Sequence, residues 1–130
     1  ENEFIKLIAS IEALSSHPIA YSILEYAKDI DLYEVSNFET IPGKGIQGLI
    51  NNKLIYALNP KAMKEMINYS LEIENYIEEI SKLGKTPICF GYDNKLIGIV
   101  GIEDKILTVA FPHPTGIIKL IKGHSSFKKM

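Results

Sequence analysis

The stretch Pro42-Gly43-Lys44-Gly45-Ile46-Gln47-Gly48 has the formal spacing G-x-G-x-x-G, and the residues after it decide the fold class. In a dinucleotide-binding unit such a stretch ends a strand and opens a helix whose first N–H groups face pyrophosphate. Here it runs into Leu49-Ile50-Asn51-Asn52-Lys53-Leu54-Ile55-Tyr56, which carries no helical stripe and reads as a hairpin about Asn51-Asn52. Asparagine tolerates the positive φ that a two-residue hairpin turn requires. The glycine stretch is therefore a strand-to-strand turn in antiparallel surroundings. Without β-carbons, Gly43 and Gly45 leave backbone that a flat ligand can approach closely; the bland alternative is a tight turn that needs positive φ.

Upstream, Phe4, Leu7, Ile8, Ile11 and Leu14 recur at helical spacing, which predicts an amphipathic helix over about 3–14. Ser15-Ser16 break it, and Pro18 suits the first position of a second helix with Ile19, Ala20, Ile23, Leu24 and Ala27 as its buried stripe. That helix is expected to end near Asp29 and to pair with the first as a hairpin. Tyr33 to Ile41, Ile46 to Ile50 and Lys53 to Leu58 read as strands. Asn59-Pro60 opens a short helix through about Met66, and a longer one runs from Ser70 to Leu83 with Gly84 as its stop. Pro87 to Tyr92 and Lys95 to Ile102 form a hairpin about Asp93-Asn94. The expected class is α+β: an antiparallel-rich β-sheet flanked by two helical hairpins.

Beyond Asp104 the pattern dissolves. Leu107 to Phe111 is strand-like, but Pro112 and Pro114 interrupt it, and Gly123 to Met130 is polar, basic and expected to fray. Two units are expected: residues 1–106 as the structured domain and 107–130 as a basic, partly disordered tail. The helical pattern starts at once, so the chain reads as a piece of something longer.

Charge narrows the partners. All fourteen basic residues are lysine, so the chain has no arginine finger and no guanidinium clamp for phosphate. Through Asp104, 9 lysines face 16 acids, a net −7; the remainder carries 5 lysines and no acid. An acidic body argues against nucleic acid as its partner. No apolar run approaches the ~20 residues that span a bilayer. The single cysteine, Cys89, excludes an internal disulfide and reads as a buried, inert thiol.

His17 precedes Pro18, which pushes its backbone out of the helical region and places its imidazole at a helix mouth. Partial positive charge there keeps the ring neutral, fit to stack on a base or accept a hydrogen bond. Glu12 lies five positions earlier, near the same mouth, where its carboxyl either meets a ligand amine or is merely solvated. Lys44, in the glycine turn, is placed to lean toward phosphates or into solvent. Together with the glycine turn, these residues outline a pocket for a flat heteroaromatic ring. No nucleophile elbow, paired-carboxylate site or metal-ligand cluster is legible, and His17, His113 and His124 are too scattered for zinc.

Residues 1 to 106 resemble the nucleotide-binding (N) domain of heavy-metal-transporting P-type ATPases. The residues that carry the resemblance are Glu12 with Ser16-His17-Pro18-Ile19-Ala20, the run Phe38 to Gly48, Asn59-Pro60-Lys61-Ala62-Met63, and Gly84-Lys85-Thr86 leading to Leu96-Ile97-Gly98-Ile99-Val100. The resemblance implies that Glu12, His17, Gly43 and Gly45 surround the adenine of ATP and that Asn59 helps close the site. It implies Mg2+ with the nucleotide in the intact pump, and the pump's phosphorylation and actuator domains as partners. It further implies a cytoplasmic domain of an integral membrane protein, without membrane contact of its own and monomeric when isolated. The family usually has glycine before that asparagine; here Leu58 stands there, and its side chain is expected to bear on the pocket. The phosphorylated aspartate of the family is absent, and His113-Pro114-Thr115-Gly116 has histidine where it belongs. The chain is thus expected to bind ATP and present its γ-phosphate to an aspartate elsewhere, without turning it over alone. Two rivals remain at this level: a ligand-free α+β interaction or structural domain, and a self-sufficient small hydrolase.

Overall fold

The structure, a computed structural model, describes the backbone of residues 2–16, 18–103, 106–113 and 116–123. Helix α1 (Asn2–Glu12) and α2 (Pro18–Tyr26) open the chain. Strands β1 (Ser36–Ile41), β2 (Gly45–Ile50) and β3 (Lys53–Leu58) come next, then α3 (Pro60–Met66) and α4 (Leu71–Lys82). Strands β4 (Thr86–Tyr92), β5 (Lys95–Glu103), β6 (Ile106–His113) and β7 (Gly116–Gly123) complete it. All seven strands form one sheet in sequential order, and every neighbouring pair is antiparallel. The class is α+β, as the sequence predicts.

Local chemistry sets most of the corners. Asn51 and Asn52 sit at φ 53° and 64°, and Asp93 and Asn94 at φ 54° and 65°, the two consecutive left-handed residues that match the twist of a two-residue hairpin. Ser70 caps α4 by accepting from the Ile73 N–H at 3.2 Å. Gly84 leaves the same helix at φ +83°.

The sheet separates two cores by strict alternation. On β3, Ile55 and Ala57 pack toward α1 and α2, whereas Tyr56 and Leu58 pack toward α3 and α4. Helix α1 contributes Phe4, Ile5, Leu7, Ile8, Ala9 and Ile11, all buried. Each of the larger ones stabilises the fold by about 2 kcal/mol. The helix approaches the sheet at two side-chain-free seats. An added Cβ on Gly98 would overlap the Phe4 ring, and one on Gly48 would lie 3.3 Å from Ile11 Cδ1. Cys89 is buried in the opposite core, where desolvation pushes its thiol up to about 12, which suppresses the reactive thiolate.

Two expectations from the sequence are corrected. Tyr33 to Val35 do not join β1. The Tyr33 N–H donates to Ser10 Oγ at 2.8 Å, its hydroxyl donates to Glu3 at 2.7 Å, and the Lys6 ammonium lies 4.4 Å from its ring centroid. This segment is therefore a strap across α1, and β1 starts only at Ser36, with a register shift between Ser36 and Glu39 where Asn37 takes φ 53°.

The second correction concerns the tail. The segment past Asp104, read as patternless, continues the sheet: Leu107 pairs with Ile102, and Pro112 sits within β6 opposite Ile117. A proline fits a ladder wherever the position does not donate. Residues 124–130, expected to fray, lie outside the described residues, as do Asp104 and Pro114.

Candidate functional site

Glu12 is the last residue of α1. Backbone bonds from Ala13 to Ala9, Leu14 to Ile11 and Ser15 to Glu12 close the helix around it. Its side chain is buried, only 2% exposed. Its Oε1 has no hydrogen-bond partner. Removal from water disfavours the anion, and desolvation pushes the carboxyl from 4.5 up to about 7. Placement at a helix C-terminus offers no positive partial charge to offset this. The solvated alternative for Glu12 is excluded. A buried carboxyl with an empty acceptor is an expensive arrangement that a ligand donor would relieve.

The glycine turn is held from the far side by one residue. Asn59 Oδ1 accepts from the Ala62 N–H at 2.8 Å and so caps α3, while its Nδ2 donates to the Gly43 carbonyl at 2.8 Å. The Asn59 N–H adds a bond to the Lys44 carbonyl at 2.9 Å, and the Lys44 N–H donates to Ile41 at 2.9 Å. Gly43 takes φ +76° with open space where a Cβ would stand. Gly45, at φ +149°, has none: an added Cβ would overlap the Ala57 carbonyl oxygen and lie 2.9 Å from Leu58 Cα. The two glycines thus serve different ends. Gly43 leaves an approach open, and Gly45 lets β2 close on β3.

Asn59 is therefore a brace between the glycine turn and α3, its amide consumed within the protein. Replacing it with aspartate keeps the acceptor for α3 but removes the donor to Gly43. We expect Asn59→Asp to leave α3 intact while loosening the turn, with faster amide exchange at Lys44 and Gly45 and a loss of about 1 kcal/mol in denaturant unfolding. Unchanged exchange at both amides would show that the brace is idle.

Lys44 does not face into open solvent alone: its ammonium lies 3.5 Å from Glu65, an exposed pair of small worth. Leu58, expected to bear on the pocket, packs instead in the core beneath α3 and α4 with Tyr56 and Met63. It faces away from α1. Ile11 meets β2 at Gly48, three residues along the strand from Gly45, so the end of α1 lies about 10 Å from the turn on the same sheet. Gly43, Gly45 and Asn59 are thereby joined directly, with Glu12 on the neighbouring helix end. His17 lies outside the described residues. Sequence reasoning missed the seats at Gly48 and Gly98; isolated glycines inside strand patterns were the available signal.

No family model matches the chain. Among characterised relatives, the copper-transporting ATPase RAN1 of Arabidopsis thaliana is 35% identical over 140 residues, covering 91% of this chain and 14% of that protein. The copper-exporting P-type ATPase B of Archaeoglobus fulgidus is 32% identical over 108 residues, covering 82% and 15%. A probable cadmium-transporting ATPase of Staphylococcus aureus is 31% identical over 112 residues. The chain spans about one-seventh of the length of these curated relatives. Among solved structures, the N-domain of HMA8, a copper-transporting P-type ATPase, superposes with TM-score 0.62 at 23% identity. That match covers 78% of this chain and 89% of that one, and it establishes the fold. The catalytic domain of the CPx-ATPase CopB-B, in a study of its changes on nucleotide binding, matches 88% of this chain and 35% of that one at 25% identity and TM-score 0.53.

Proposed function

We propose, from the premise that this chain belongs to the heavy-metal-transporting P-type ATPases as a counterpart of their N-domain, that it holds the adenine of ATP between α1 and the glycine turn. The observation that carries this reading is the buried Glu12 carboxyl with an unpartnered Oε1 at the end of α1, the helix that meets β2 at Gly48, three residues along the strand from Gly45. An exocyclic amine of a base supplies the donor this oxygen lacks. Gly43 admits the flat ring against backbone, His17 stacks on it or bonds to it, Gly45 keeps β2 closed, and Asn59 fixes the turn.

The nucleotide-holding unit spans residues 1–106 in this reading, on the cytoplasmic side of a membrane pump. The γ-phosphate is presented to an aspartate in a separate phosphorylation domain, with Mg2+ accompanying the nucleotide there. The chain's own work is positioning. It binds and does not hydrolyse by itself.

Burying about 100–150 Å² of adenine contributes roughly 3 kcal/mol, and two or three hydrogen bonds add about 1 kcal/mol each, before the cost of association is subtracted. A dissociation constant nearer millimolar than nanomolar is expected. Because the grip is on the base, AMP should bind within a few-fold of ATP, and chelating Mg2+ should change little. An amide-shift titration tests this. ATP-induced shifts should gather at Glu12, His17, Gly43 and Gly45, and a preference for ATP set by its phosphates would count against a base-centred site.

A further inference from the structure

The proposed grip on the base leaves out the longest side chain of the glycine turn, that of Lys44. Its backbone is fixed from both sides. The Lys44 N–H donates to the Ile41 carbonyl at 2.9 Å, and its carbonyl accepts from the Asn59 N–H at 2.9 Å. The carbonyl just before it, of Gly43, accepts from Asn59 Nδ2 at 2.8 Å. The stem of Lys44 therefore rises from a held root, next to the face that Gly43 leaves open.

The ammonium at its tip lies 3.5 Å from Glu65 Oε1, near the end of α3, and the two side chains are 52% and 58% exposed. Glu65 makes this pair across elements although Lys61 stands one turn before it on its own helix. An ion pair this open to water contributes little to stability and exchanges readily for another anion. Other lysines on the elements that frame the turn are held elsewhere. Lys53 pairs with Asp93 at the opposite end of β3, 3.8 Å apart, and Lys64 with Glu74 on α4 at 3.2 Å.

The proposed base site sets a direction for the rest of a nucleotide. The N6 amine of adenine and N9, which carries the ribose, lie at opposite ends of the ring system. With the amine toward the end of α1, which meets β2 at Gly48, the ribose leaves on the side of Gly45 and the turn. The first charge to pass the turn is then the α-phosphate, the one nearest the sugar. An ammonium is a compact point charge with three rotatable donors and meets a phosphate without fork geometry.

We infer that Lys44 reads the α-phosphate of the nucleotide, and that Glu65 is the internal anion it leaves to do so. This rests on the adenine site proposed above and adds to it a specificity for nucleotide over nucleoside. Without nucleotide the ammonium sits on Glu65; with nucleotide it turns to the phosphate, and the Glu65 carboxylate returns to water. The exchange of one exposed pair for another favours AMP over adenosine by about three- to fivefold at low ionic strength, and added salt shrinks that ratio. The β- and γ-phosphates lie farther out, so AMP and ATP stay within a few-fold of each other.

The test is an amide-shift titration of the whole chain with adenosine and AMP, for the wild type, Lys44→Gln, Lys44→Arg, Lys61→Gln, Glu65→Gln and the double variant Lys44→Gln with Glu65→Gln. Lys44→Gln should collapse the AMP-to-adenosine ratio to about one, and Lys44→Arg should restore it. Glu65→Gln should strengthen AMP by about threefold, and that gain should be mostly lost when Lys44 is also replaced. Equal affinities for AMP and adenosine in the wild type overturn the proposal while leaving the base site in place. So does a ratio that collapses in Lys61→Gln instead, or a Glu65→Gln gain that is the same with and without Lys44. Absence of any response to both ligands in the wild type removes the adenine site itself, and this inference with it.

Discussion

Gly45→Ala is expected to open the β2–β3 ladder at its root and to destabilise the domain by about 3 kcal/mol or more. The added methyl would overlap the Ala57 carbonyl oxygen, and Leu58 Cα lies 2.9 Å away, so backbone rather than a flexible side chain must give. The φ of +149° adds strain that an alanine rarely accepts. Gly43→Ala is the internal control. Its Cβ would meet nothing within 4 Å, leaving only the left-handed backbone at φ +76°, for about 1 kcal/mol. Urea unfolding of the two variants side by side measures the difference. Equal losses would mean that the approach of β2 to β3 does not depend on the missing side chain at Gly45.

The second large effect is a pH dependence of stability that belongs to Glu12. Its folded carboxyl titrates near 7, above the unfolded value near 4.5, so the folded state binds the proton more tightly. The stability this confers is fully present below about pH 4.5 and is lost as pH rises through about 7. A separation of this size corresponds to about 3 kcal/mol, most of it between pH 5 and pH 8. Glu12→Gln keeps the shape and removes the titration. Relative to wild type, the variant should gain about 2 kcal/mol on moving from pH 5 to pH 8, read by denaturant midpoints. Parallel profiles for the two chains would show that Glu12 ionises without penalty.

Much of the fold was written in short local signals. Asn51-Asn52 and Asp93-Asn94 marked two hairpins, Asn59-Pro60 and Ser70 marked helix starts, and Gly84 marked a helix end; each acts within a few residues of itself. The errors lie where distant groups compete. Tyr33 looks like strand because its neighbours do, yet its N–H goes to Ser10, 23 positions away, and no local pattern contains that bond. Strands β6 and β7 were hidden by the prolines at 112 and 114, and the fit of Pro112 depends on its partner across the ladder.

The family was legible through the spacing of Glu12, His17, Gly43, Gly45 and Asn59, and the relatives bear it out. The division of labour within the glycine turn was not. Which glycine needs space and which needs an open face, and that Asn59 spends its amide on Gly43, depend on where β3 passes the turn.

The unbroken sequential order of the sheet has a consequence for how the molecule comes to exist. Each strand meets as its first neighbour the one made just before it, and residues 59–85 are the longest stretch separating two such neighbours. Nothing synthesised early must wait for a distant C-terminal segment before it can pair. Such a sheet grows one ribbon at a time as the polypeptide leaves the ribosome, with little exposed edge awaiting a late partner.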